Sequence, residues 1–298
     1  MGSRAFRANL SAYLFLAPWL IGLFLFMIGP MLASLYLSFT QYDLVTAPRW
    51  IGLQNFSGMF ADERFYQAVR ATALFVGVAV PLKLSAALGV ALLLNRNLRF
   101  IGLYRTVYYV PSLIGGSVAV AVMWRQIFGG DGLFNRFLSL FGADGMTIWI
   151  ASPTYAIYTI CLLAVWQFGS SMVIFLAGLK QIPEYLYESS AIDGAGKLRQ
   201  FISITLPMLS PVLFFNLVMQ TIGAFLMFTQ AFIVTKGGPM DSTLVYALFL
   251  YEQGFSFLKM GYASALSWVL LAAIGLCTLL FFATSRYWVY YETGGDRA

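Results

Sequence analysis

Residues 187–211 read YESSAIDGAGKLRQFISITLPMLSP, and Glu188, Asp193, Lys197 and Arg199 stand among glycines in a chain whose flanking tracts carry no charge. The fragment GAGK invites comparison with a phosphate-binding loop. That loop needs GxxxxGK followed by Ser or Thr, so that backbone N–H groups cradle the phosphates and the hydroxyl meets magnesium. Here the first position is Ala191 and the last is Leu198, so the match fails at both ends and a nucleotide site is disfavoured. Histidine is absent, which removes the commonest general base and the commonest metal ligand. Cys161 and Cys277 both fall in apolar tracts and read as packing residues, not as a disulfide or a metal pair. No nucleophile and base converge in the pattern, which argues against an enzyme. The net charge of +6 is scattered over connecting segments and does not form a stripe for nucleic acid.

A second set of polar residues lies inside apolar sequence. Asn216, Gln220, Gly223, Met227 and Gln230 are spaced 4, 3, 4 and 3 apart, one helical stripe about 21 Å long at ~1.5 Å per residue. Amides facing lipid are costly, so the stripe either hydrogen-bonds another helix or lines a path for a solute. Sugars suit the second reading, because planar amides match hydroxyls and aromatic faces match ring carbons. Gln167, beside Trp166, is open to the same two readings. Lys83 has twelve residues between it and each flanking arginine, too deep for easy snorkelling. It serves either a carbonyl freed by nearby Pro81 or the charge of an anionic sugar.

The elements that must hold these residues follow from composition. Of 298 residues, 60% are hydrophobic and 10% charged, a surface no water-soluble domain of this length tolerates. This is an integral membrane protein. Uncharged intervals of 35, 19, 35, 36 and 26 residues, with a sixth of 25 interrupted by Lys83, each hold one crossing of roughly 20 residues. The expected fold is all-α, with six transmembrane helices near 13–38, 68–94, 106–127, 154–179, 207–235 and 260–286. Residues 13–286 form the membrane domain between an N-terminal segment, 1–12, and a tail, 287–298. With the N-terminus inside, ten Lys and Arg fall on the cytoplasmic side and seven outside, so both termini are expected in the cytoplasm. All twelve acids lie in expected loops or termini, which disfavours a self-contained, proton-driven secondary carrier.

The opening stretch then falls in the cytoplasm between the fourth and fifth spans. Pro183 suits a first helical turn, Glu184 and Glu188 lie toward its positive end, and Gly194 and Gly196 stop it. Ser189, Ser190, Ala191 and Ala195 are small enough for another surface to approach. The spacing resembles the EAA loop of permease subunits of bacterial ABC importers: Glu188 opens it, Gly194 follows six residues later, Ile204 ten after that, and Leu206-Pro207 closes it. Serines 189 and 190 replace the name-giving alanines and keep their size. The segments SAYLFLAPWLIGLFLFMIGPMLASLYLSFTQYDL and GLYRTVYYVPSL, with AIDGA, ITLP and LSP, are similar to the carbohydrate-importing branch.

The resemblance implies that the loop, about 180–206, carries a coupling helix whose Glu188, Ser189, Ser190, Ala191, Asp193, Gly194 and Ala195 dock on a separate ATPase. It implies a bacterial inner-membrane location, a second homologous permease, an ABC ATPase dimer holding ATP and magnesium, and an extracytoplasmic solute-binding protein. No cofactor is expected on this chain. A sugar would then cross between the permeases, past the polar residues named above.

Overall fold

The computed structural model describes residues 15–96, 99–142 and 147–290. The expected segment 1–12, the first two residues of the first span and most of the tail 287–298 lie outside these residues. Along the chain run α1 (Phe15–Ser38), α2 (Glu63–Leu94), the bent pair α3 (Ile101–Ile114) and α4 (Val118–Ile127), and the bent pair α5 (Ala156–Trp166) and α6 (Gly169–Leu179). The short α7 (Glu184–Ile192) follows, then α8 (Leu206–Phe225), α9 (Thr229–Val234) and α10 (Met260–Trp288). By length and composition α1, α2, the run Lys197–Val234 and α10 can cross a bilayer singly, which makes four, and up to six if each bent pair is one span.

Three expected spans are not straight helices. The third, expected at 106–127, starts at Ile101 and turns through 98° between α3 and α4. Pro111 removes a backbone donor within α3, and Ser117 then adopts an extended backbone whose Oγ accepts from the Val120 N–H at 3.4 Å. That cap starts a new helix in a new direction. The fourth bends by 44° between α5 and α6, at Gln167 and Phe168. The fifth does not continue to 235 as one helix: α8 ends at Phe225, and residues 226–228 are non-helical before α9.

Two compact units divide the chain. The first comprises residues up to Asp62 with Leu250–Leu271. Its only strands among the described residues, Thr40–Gln41 and Arg49–Trp50, pair antiparallel, and Asn55 Nδ2 ties their approach by donating to the carbonyls of Ser38 and Thr40 at 2.9 and 2.8 Å.

The second unit holds Glu63–Phe249 and the later part of α10. Helix α2 packs on α5, α6 and α8. Its Val80, Leu84, Ala87, Ala91 and Leu94, spaced 4, 3, 4 and 3, meet Met172, Phe175, Leu176 and Leu179 of α6 and Leu209 of α8. Lipid tails are as apolar as leucine, so close packing rather than escape from water holds such helices together. The buried alanines Ala68, Ala71, Ala79, Ala87 and Ala91 permit it. At the mouth of α2, Arg64 donates from Nε and Nη2 to the Asp241 carboxylate at 2.9 and 3.1 Å.

Candidate functional site

In the second unit, α2, α5, α8, α9 and the breaks beside them enclose a cavity of about 310 Å³, near the small end of the ~300–1,000 Å³ common for ligand pockets. Lys83 enters it from α2, Gln167 from the α5–α6 break, Gln220 and Gly223 from α8, Met227 from the α8–α9 break and Gln230 from α9. Phe75 and Phe228 add aromatic surface, and no carboxylate lines it. The non-helical backbone at Leu226–Phe228 borders the cavity, the setting in which such backbone is tolerated within a membrane protein.

Six of the seven polar and path residues singled out in the sequence therefore share one cavity. Asn216 is the exception. It is 1% exposed, its Nδ2 donates back to the Val212 carbonyl at 3.2 Å, and it is absent from the lining. Of the stripe from Asn216 to Gln230, four residues line the cavity and Asn216 turns into packing; the helix ends at Phe225, and Gln230 comes in on α9 after three non-helical residues.

Gln167 has a second task. Its Nε2 donates to the Leu163 carbonyl at 3.2 Å and across to the Gly115 carbonyl at 3.1 Å, joining the breaks of the two bent spans. A Cβ on Gly115 would overlap the Gln167 side chain, and one on Gly169 would overlap the Tyr108 carbonyl. Glycine at both positions is what lets α3 and α6 approach.

The loop between α6 and α8 is built differently. Pro183, extended, opens α7. Asp193 closes it, and Gly194 follows at φ +80°, where a Cβ-bearing residue is strained. The N–H groups of Gly194 and Ala195 donate to the carbonyls of Ala191 and Ser190 at 3.0 and 2.9 Å. Glu188, Ser189, Ala191, Asp193 and Gly194 are exposed, whereas Ser190 and Ala195 are half-buried.

Sequence reasoning missed what secures this loop. Gln200 is buried, and its Nε2 donates to the Tyr187 carbonyl at 3.1 Å and to Ser190 Oγ at 3.0 Å. Tyr187 and Thr205 hydroxyls lie 2.9 Å apart. The one signal available was a polar Gln immediately before the apolar run Phe201–Ile202. Three apolar side chains also stand in the open: Tyr185 is 62%, Ile192 87% and Leu198 73% exposed.

Residues 84–291 match the family described as "Binding-protein-dependent transport system inner membrane component". The chain belongs to this family. The permease is 53% identical over 295 residues to the probable ABC transporter permease protein YesP of Bacillus subtilis (strain 168), spanning 98% of this chain and 96% of that one. It is 32% identical over 285 residues to the lactose transport system permease protein LacF of Rhizobium radiobacter, spanning 93% and 95%. Its fold is similar to a chain of the bacterial alginate ABC transporter crystallised with an alginate pentasaccharide-bound periplasmic protein, with a TM-score of 0.81 over 95% of this chain and 96% of that one. At 21% identity that likeness concerns the fold. Membership in a family of binding-protein-dependent permeases sets aside the secondary carrier.

Proposed function

We propose that the permease forms half of the path of an ATP-driven importer of a sugar or oligosaccharide across a bacterial inner membrane. The cavity carries this reading. Three glutamine amides and two phenylalanine rings converge in it, the combination that sugar hydroxyls and ring carbons call for. The relative named for lactose and the neighbour crystallised with an alginate-loaded partner support the same class. In this reading the second permease supplies the other half of the path, and a solute-binding protein delivers the sugar from outside. A separate ATPase dimer holds ATP and magnesium, and this chain is not catalytic. Both termini lie in the cytoplasm, which sets α7 and its Glu188 and Gly194 against the ATPase. Closure of the ATPases would move α7, and the packed helices behind it would open the path alternately to the two sides.

The test is to purify the protein from native membranes and reconstitute what comes with it. An ATPase should co-purify, and labelled saccharide should accumulate in vesicles only with ATP and the binding protein. Purification without any ATPase, or uptake driven by an ion gradient alone, sinks the reading. Orientation is checked in a background lacking Cys161 and Cys277. An impermeant thiol reagent added outside should label Asp131→Cys and not Gly196→Cys; the reverse pattern removes the coupling role as well.

A further inference from the structure

Lys83 lies within α2, in the middle of a membrane-spanning segment, and lines the cavity. A lysine at that depth is costly in hydrocarbon and is found where it meets a partner or a water-filled path. Among the described residues it has neither an ionic nor a hydrogen-bonding partner. The ion pair found among the described residues is Arg64 with Asp241, and no Asp or Glu lines the cavity. Pro81, two residues earlier, leaves the Gly77 carbonyl without its usual helical donor. Among the described residues no hydrogen bond from Lys83 to that carbonyl, or to any other group, takes up the ammonium. The structural reading of Lys83, left open by the sequence, is therefore not the one the geometry favours.

We infer that Lys83 is the specificity-determining residue for an anionic sugar, pairing its ammonium with one carboxylate of a uronate-type saccharide as it passes the cavity. This rests on the sugar-importer reading above. A single lysine with three neutral amides matches one negative charge among many hydroxyls. A sugar phosphate, at close to two charges, would call for a second cation or an arginine fork, and neither lines the cavity. The three amides supply donors and acceptors for hydroxyls, and Gln220 and Gln230 reach the lining from α8 and α9.

The experiment uses the intact importer in proteoliposomes with its ATPase, second permease and binding protein. The probes are maltose, cellobiose and lactose, each beside the disaccharide whose non-reducing hexose carries a carboxylate in place of its hydroxymethyl group. The expected result is preferential uptake of a uronate, a loss of roughly tenfold or more with Lys83→Gln, as for removal of a charge-assisted hydrogen bond, and substantial retention with Lys83→Arg. Gln220→Glu supplies an internal partner for Lys83 and should also lower uronate uptake by about tenfold, even if Lys83→Gln fails to assemble. Uptake of neutral sugars in preference to uronates overturns the inference and leaves the importer reading standing. So does normal uronate uptake by Lys83→Gln or Gln220→Glu. ATP-dependent activity with uptake of no saccharide at all sinks both.

Discussion

In the cavity, an ammonium group and three amides are held at membrane depth among phenylalanine and alanine. In the loop around α7 the arrangement is inverted, for Tyr185, Ile192 and Leu198 stand exposed among Glu188, Asp193, Lys197 and Arg199. Each region holds side chains of the character its surroundings disfavour, and on the proposed reading each mismatch would be resolved by something that is not this chain. A polar solute suits the first. An apolar protein surface suits the second, since exposed aliphatic and aromatic anchors flanked by charge are what an interface buries. The loop follows α6 and leads into α8, and α8 also lines the cavity, so two regions of opposite chemistry rest on the core that α2, α6 and α8 pack.

This contrast makes separable predictions. The largest effect is expected from Ile192→Asp, which places a charge where the proposed interface would bury an apolar anchor; loss of ~2 kcal/mol or more corresponds to uptake lower by at least roughly 30-fold. It should be accompanied by loss of the co-purifying ATPase, while equilibrium binding of sugar in the cavity is unchanged. Next comes Gln200→Leu, which strips the Tyr187 carbonyl and Ser190 of a buried donor at about 1–3 kcal/mol. Amide hydrogen exchange should quicken across α7 and not across α2; equal quickening in both would show that the loop is not an independent surface. Gln220→Ala should raise the half-saturating sugar concentration by roughly 2–10-fold, as for one neutral hydrogen bond, with ATPase still co-purifying. If the ATPase is lost instead, the division between the two regions is wrong. The smallest effect is expected of Gly194→Ala, which meets no neighbouring atom and suffers only the strain of its positive φ, about 1 kcal/mol. It should lower uptake by twofold or so, and a hundredfold loss would mean that residue 194 touches the partner directly.

What was legible in the sequence was set by what repeats or excludes. Charge-free tracts located the six spans because lipid excludes charge from one length of helix, and the anchors Glu188, Gly194, Ile204 and Pro207 identified the loop. Helix breaks were not legible. The GG at 115–116 and the Ser cap at 117 sit in a tract apolar enough for one straight span, and only the packing of α4 against α9 makes a 98° turn worthwhile. The stripe from Asn216 to Gln230 is interrupted after Phe225, and only Asn216 leaves the cavity. Period alone does not say where an axis ends. Gln200 was invisible because its partners lie 10 and 13 residues away across a turn, a separation with no helical meaning.

The bridge from Gln167 to Gly115 bears on how such a transporter can diversify. One amide lines the cavity and also fastens two bent spans, so a substitution there that altered solute preference would disturb the scaffold in the same stroke. Gln220 and Gln230 carry no comparable bridge among the described residues. On the proposed reading, changes in cargo would fall more readily on Lys83, Gln220 and Gln230 than on position 167, which cannot change without loosening two spans.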